Sequence, residues 1–223
     1  RDLIFPHHEA EIAQMEASSG KKPFVRYWLH TGFLNAKGQK MAKSLDNFIT
    51  IRDSLNKYDV KVLRLFYISA HYRNPIDFSE ELLEQARNSL ERLNNFARSL
   101  RSSSQKDDIK LIEKTKKKFL KFMDDDFDTP KALAAIFDFV KEVYKKGGGK
   151  KSYELMQEFD SVFNVLTLEE IELDKNLRKL IDEREKARKE KDFERADKIR
   201  NELKEKGIIL EDTKEGVRWK KKD

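Results

Sequence analysis

No cysteine occurs among the 223 residues of this chain. A disulfide scaffold, a Cys-rich zinc finger and a thiol-based active site made from its own residues are therefore excluded. With only 8 glycines and 4 prolines, the chain is too poor in turn formers for a turn-dense all-β fold or a low-complexity disordered protein. No apolar run approaches the roughly 18 residues of a membrane span. The opening stretch Arg1 to His8 has no signal-peptide pattern. It starts on Arg rather than Met, which leads to the expectation of a tail from something longer. What the chain has in abundance is charge. Charged residues make up 39%, with 47 basic against 41 acidic residues and a net charge of +6. An average soluble domain carries roughly 25%. The 15 phenylalanines supply much of the apolar content. This composition predicts a soluble, cytoplasmic, mainly α protein without a membrane role.

The pattern along the chain divides it. Pro6 can open a helix through about Ala17 that Gly20 ends. Phe24, Val25, Tyr27, Trp28, Thr31 and Phe33 are aromatic and β-branched, and predict a strand over 24–33. Asn35-Ala36-Lys37-Gly38 reads as a turn, and Thr50 as the N-cap of a short helix. From Asp59 onward helical periodicity dominates. Val62, Leu63, Phe66, Tyr67 and Ala70 form one apolar face, and Asn74-Pro75 breaks it. Ser79-Glu80-Glu81 caps a long helix to about Arg101, with Leu82, Leu83, Ala86, Leu90, Leu93 and Phe96 inward. The polar run Ser102 to Asp108 reads as a linker. Helices are predicted over roughly 108–124, 129–146 and 151–165, and two highly charged ones over 175–190 and 192–206. A hairpin closes the chain, with Ile208 to Leu210 against Val217 to Trp219.

From Asp174 onward 18 Lys and Arg face 14 Asp and Glu, so four of the six net positive charges lie there. A solvated face laced with i,i+4 pairs explains most of them. The tail Arg218-Trp219-Lys220-Lys221-Lys222 adds an aromatic stacking surface among cations, which suits a nucleic acid with bases to stack and phosphates to pair. His7 and Glu11 are spaced i,i+4 on one helix face, suitable for two ligands of a zinc ion; a plain surface pair is the competing reading. His8 and His30 are candidates to support such a site or contact substrate, whereas His71 reads as a packed or capping residue. Lys40-Met41-Ala42-Lys43-Ser44 sets two lysines and a hydroxyl on a loop. Such cations can hold phosphate oxygens where negative charge builds in a transition state, and a solvated basic loop is the alternative.

Lys40 to Ser44 resembles the "KMSKS" loop of class I aminoacyl-tRNA synthetases. Phe5-Pro6-His7-His8-Glu9-Ala10-Glu11-Ile12-Ala13-Gln14, Tyr27 to Gly32, Ser69 to Arg73, Asp126 to Leu133, and Gly207 to Asp212 with Val217 to Trp219 are similar, in order, to segments of the cysteinyl-tRNA synthetases. The resemblance implies a C-terminal fragment of a Rossmann-like α/β catalytic domain, followed by an α-helical bundle and a small α+β C-terminal domain. The implied divisions are residues 1–57 for the catalytic fragment with the zinc-ligand helix and signature loop. A connecting, stem-contact-like helical segment takes 58–106, a helical anticodon-binding domain 107–168, and a small basic tRNA-binding domain 174–223. The implied activity is ATP-dependent activation of cysteine and its transfer to tRNA-Cys, with Zn2+ and with ATP and Mg2+, by a monomeric cytoplasmic enzyme. Lys43 would stabilise charge on the α-phosphate and pyrophosphate, with Lys40, Met41 and Ser44 shaping the ATP-contacting loop. His7 and Glu11 would be two zinc ligands, the other two being cysteines that this chain lacks. A zinc–thiolate bond would separate cysteine from serine better than shape could. Arg218 and Trp219 would meet the tRNA near the anticodon, or Trp219 would close the hairpin core.

Three residues depart from the family pattern: Ala42 stands for Ser, Asp46 for Gly and Ala10 for Asn. None removes a lysine or a zinc ligand. The "HIGH" motif is absent, since no His-x-x-His occurs. The 223 residues alone are therefore expected neither to activate cysteine nor to hold zinc tightly. Two other readings remain: a stand-alone, non-catalytic tRNA-binding protein, and the cysteine ligase of mycothiol synthesis. The second has no need of an anticodon domain.

Overall fold

The computed structural model describes residues 3–36, 38–41, 47–168, 175–190, 192–206, 208–213 and 216–221. The chain forms two compact units, 1–168 and 169–223. The mainly α expectation holds in both.

In the first unit, a kinked turn Ile4–His8, with Phe5 extended at φ −133, leads into α1, Glu9–Ser19. Gly20 ends it in the left-handed region at φ +67, which glycine adopts without a Cβ penalty. Helix α1 buries no residue. The strand expected over 24–33 does not form. That segment is irregular, and Tyr27 (83% exposed) and Leu29 (56%) face solvent. Aromatic content favours a strand only where a neighbour completes the hydrogen-bond ladder, and among the described residues no strand pairs with 24–33, which meets the 72–76 segment only through single backbone bonds at Gly32 and Phe33. Strand β1 is instead the short Leu34–Ala36. It pairs antiparallel with β2, Gln39–Lys40, around Gly38 at φ +74. Its other edge pairs parallel with β3, Ile76–Asp77.

Thr50 caps α2, Ile51–Lys57, in a reciprocal capping box with Asp53. Asp59 caps α3, Val60–Ile68, and Ser79 caps α4, Glu80–Arg101. Three more helices follow: α5, Ile109–Asp124; α6, Thr129–Lys146; and α7, Lys150–Phe163. Pro130 sits in the first turn of α6, where a missing N–H costs nothing. One core unites α3 to α7 through Phe66, Leu83, Leu93, Phe96, Phe119, Phe139, Met156 and Phe159. Phe119 lies 4.5 Å from Phe159 and 5.3 Å from Phe163, centroid to centroid.

Two inward assignments change. Leu82 is 38% exposed and Tyr67 is also exposed, while Leu65 is buried. Leu82 lies one residue off the inward stripe of Leu83, Ala86, Leu90, Leu93, Ala97 and Leu100. The stretch 102–108 is irregular, yet it is bound tightly to the bundle. Asp107 accepts from the N–H groups of Gly149 (2.8 Å), Lys151 (3.0 Å) and Ser152 (3.0 Å), and from the Ser152 hydroxyl (2.6 Å). It thus supplies the cap that Gly149, at the N-cap of α7, has no side chain to provide. Ser103 donates to the Gly148 carbonyl at 2.7 Å. A Cβ at Gly149 would run into the Gln105 carbonyl, and one at Gly148 into Val143 and Ser152. Gly148 and Gly149 therefore permit the close approach of Val143, Ser152 and the Gln105 backbone between α6 and α7.

In the second unit α8, Lys175–Lys189, packs on α9, Phe193–Glu205, which Asp192 caps. The antiparallel hairpin β4, Ile208–Thr213, with β5, Gly216–Lys221, follows. Ile181, Ile199, Leu203, Ile208 and Leu210 form its core.

Candidate functional site

The small sheet carries the start of the lysine-bearing loop. Lys40 ends β2 opposite Asn35 of β1, and the Met41 N–H donates to the Leu34 carbonyl at 3.3 Å. Gly38 donates to the Asp77 carboxylate at 2.9 Å, which ties the hairpin to β3. The Lys40 ammonium stands 4.4 Å from the centre of the Phe33 ring, a cation–π distance. The Asn47 amide donates to the Lys40 carbonyl at 3.3 Å, so the two ends of the loop meet. Lys43 and Ser44, and the departures Ala42 and Asp46, lie outside the described residues.

The same sheet depends on one glycine. The Gly32 N–H donates to the Tyr72 carbonyl at 2.7 Å, and a Cβ there would overlap the Asn74 carbonyl. The segment from His30 is therefore drawn against the turn that follows α3.

His7 is near the end of the Ile4–His8 turn and Glu11 in the first turn of α1, both exposed. Among the described residues no group of three or more His, Cys, Asp or Glu could hold a metal ion. Two donors are half of a tetrahedral zinc set. The residues present thus fit part of a zinc site only. Beside them is a cluster of three rings. His8 Nδ1 and His30 Nε2 are 2.9 Å apart, Trp28 is 4.8 Å from His8, and Trp28 lies parallel to His30 at 6.2 Å. Desolvation, and after it the neighbouring His8, lowers the His30 pKa.

Sequence reasoning missed a second cluster. Asp126 accepts a bidentate pair from Arg73, Nε at 2.5 Å and Nη2 at 3.1 Å, and the Tyr72 hydroxyl at 2.6 Å. His71 stands 3.9 Å away and stacks on Tyr72. The Arg73 guanidinium first, then Tyr72, pulls the Asp126 pKa down to about 2. Asp126 and Phe127 both adopt positive φ, 54 and 55, directly before Asp128 caps α6. This joins the end of α3 to the start of α6 across 53 residues of sequence. Two of the segments singled out in the sequence meet here, and their periodicity held no sign of it.

In the hairpin, Trp219 pairs with Leu210 and Arg218 with Glu211.

Comparison with known proteins matches three family models in chain order. Residues 1–88 match the tRNA synthetases class I (C) catalytic domain, 118–168 the DALR domain, and 171–219 the cysteinyl-tRNA ligase anticodon binding domain. A cysteine–tRNA ligase of Lachnospira eligens is 47% identical, over 98% of this chain and 50% of its own length. These matches, in this order, make the chain similar to a C-terminal portion of the cysteinyl-tRNA synthetases. The chain spans about half the length of that curated relative. Among solved structures, an Agrobacterium radiobacter LeuRS, crystallised as a ternary complex with tRNA and LeuAMS, superposes with a TM-score of 0.59 at 20% identity. That match covers 72% of this chain and 25% of the LeuRS, and shows a shared fold. Among the described residues no helix is long and apolar enough to cross a membrane.

Proposed function

We propose that this chain is the ATP-loop and tRNA-binding portion of an enzyme that activates cysteine with ATP and transfers it to tRNA-Cys. One observation carries the reading: 47% identity to a cysteine–tRNA ligase runs through nearly the whole chain, sheet, bundle and hairpin unit alike. An anticodon-binding match over 171–219 also weighs against the mycothiol-pathway alternative, which needs no such part. The enzyme works in the cytoplasm as a monomer.

Lys40 and Lys43 hold phosphate oxygens of ATP, and Lys43 offsets the charge that grows on the α-phosphate and the leaving pyrophosphate. Met41 and Ser44 shape that loop. The tie between Asn47 and the Lys40 carbonyl, with Gly38 held by Asp77, fixes where the loop leaves and rejoins the sheet. His7 and Glu11 are this chain's share of the zinc ligands. The divisions 1–57, 58–106, 107–168 and 174–223 correspond to catalytic fragment, connector, helical domain and C-terminal tRNA-binding domain, with Arg218 and Trp219 contacting the tRNA.

Filter binding of the 223-residue protein to purified tRNA species tests this reading. Retention of tRNA-Cys at several-fold lower protein concentration than other tRNAs is expected. Equal retention of all species contradicts it.

A further inference from the structure

Helix α5 carries six lysines, and five of them, Lys110, Lys114, Lys117, Lys118 and Lys121, line one shallow open depression with Glu113. At 100° per residue these positions fall within an arc of about 100° on the helix. The opposite arc holds the buried Thr115 and Phe119. From Lys110 to Lys121 the stripe runs about 16 Å along the axis.

Five other lysines of the bundle are paired with acids. Lys116, on another side of α5, pairs with Glu158 at 2.7 Å. Lys131 pairs with Asp128, Lys145 with Glu142, Lys146 with Asp108 and Lys150 with Glu154. None of the five stripe lysines has an ion-pair partner within 4 Å among the described residues. They also stand at i,i+3 and i,i+4 from one another, where like charges destabilise a helix. Lys141 of α6 and Lys151 of α7 also lack an ion-pair partner among the described residues, but they stand singly. Five such lysines crowded on one face bear a mutual repulsion that no acid within 4 Å offsets among the described residues.

We infer that the α5 stripe is a docking surface for the phosphate backbone of the bound tRNA, outside the hairpin unit to which the anticodon-binding match belongs. The inference rests on the reading above as a tRNA ligase. Charge complementarity selects the occupant: lysines are compact point charges suited to phosphate oxygens, and a straight stripe of this length can follow successive phosphates of one strand. Such contacts orient the RNA without reading its sequence.

The test compares two quadruple variants of the 223-residue protein with equal change in net charge. One is K114Q/K117Q/K118Q/K121Q, and the other is K116Q/K131Q/K145Q/K150Q, drawn from the paired lysines. Dissociation constants for unfractionated tRNA are measured from 50 to 200 mM salt. Each lost phosphate contact should reduce the log–log salt slope by about 0.7 to 0.9. The stripe variant is expected to lose roughly 3 from the slope and tenfold or more in affinity at low salt, with tRNA-Cys preference retained. The paired-lysine variant should stay within about 1 of the wild-type slope. An Arg version of the stripe should bind as wild type. Equal losses in both Gln variants, or an unchanged slope in the stripe variant, overturn the proposal. So does a stripe variant that melts below wild type, since these lysines would then have a structural partner. So does binding of phosphatidylserine vesicles in preference to tRNA. Stripe variants that bind like wild type, with tRNA-Cys preference intact, overturn this inference alone. A wild-type protein without affinity for any tRNA overturns the ligase reading as well.

Discussion

Replacing Asp107 with Ala removes one carboxylate from an irregular segment, yet it should be among the most damaging polar substitutions in the first unit. Four donors converge on it: the N–H groups of Gly149, Lys151 and Ser152, and the Ser152 hydroxyl. Gly149 and Ser152 are buried, so water cannot readily take the carboxylate's place. Loss of a helix cap costs about 0.5–2 kcal/mol, and a buried donor left unmet about 1–3 kcal/mol. The combined loss is about 3–4 kcal/mol, because the donors share one acceptor and do not add fully. For a unit of this size that is a fall of roughly 10 °C in melting temperature. Asp107→Asn keeps the Oδ1 acceptor but turns an amide toward the Lys151 N–H, and should cost about half as much. Burial pushes the Asp107 carboxyl up, but hydrogen bonds from Ser152, Gly149 and Lys151 outweigh it and hold the pKa below the ordinary aspartate value. Its stabilisation is therefore complete above about pH 4 and is lost as pH falls through the lower folded value. Urea unfolding of wild type and both variants between pH 3 and 7 checks this. Should Asp107→Ala fall within about 0.5 kcal/mol of wild type at pH 7, below even the usual cost of a lost cap, the capping argument is wrong.

Gly32→Ala should destabilise by about 1–3 kcal/mol in equilibrium unfolding, the usual cost of forcing extra volume into a filled space; a neutral result would refute the close approach to Asn74. The Asp126 carboxyl should titrate near 2 by NMR. Its bonds to Arg73 and Tyr72 are present above about pH 4 and lost as pH falls toward that value. Arg73→Gln should raise the midpoint, and an unmoved midpoint would remove Arg73 as the cause. Trp219→Ala should weaken tRNA binding at unchanged melting temperature; a lower melting temperature with unchanged affinity assigns Trp219 to the hairpin core instead.

Much of the helical architecture was legible because its causes are local. Thr50, Asp59, Ser79, Asp108 and Asp128 cap helices two or three residues away. The stripes from Leu83 to Leu100 and from Ala132 to Val143 repeat with the helical period. The strand expected over 24–33 failed for the opposite reason: a strand is stabilised by a partner, and composition does not say where the partner is. The candidate site was half legible. The lysine loop and the His7–Glu11 spacing stand out as motifs, whereas the Gly38–Asp77 bond that anchors the loop spans 39 residues.

By itself the sequence determined the helix positions, the absence of any cysteine and the order of family segments, since each depends on residues within a few turns of one another. Only the tertiary structure decided that Asp107 caps a helix 42 residues on. It alone showed Asp126 binding Arg73, and the five stripe lysines of α5 without an ion-pair partner among the described residues, while Lys116 of the same helix is matched with Glu158. Those outcomes rest on hydrogen bonds and charges between distant segments, whose geometry exists only once the apolar stripes have packed.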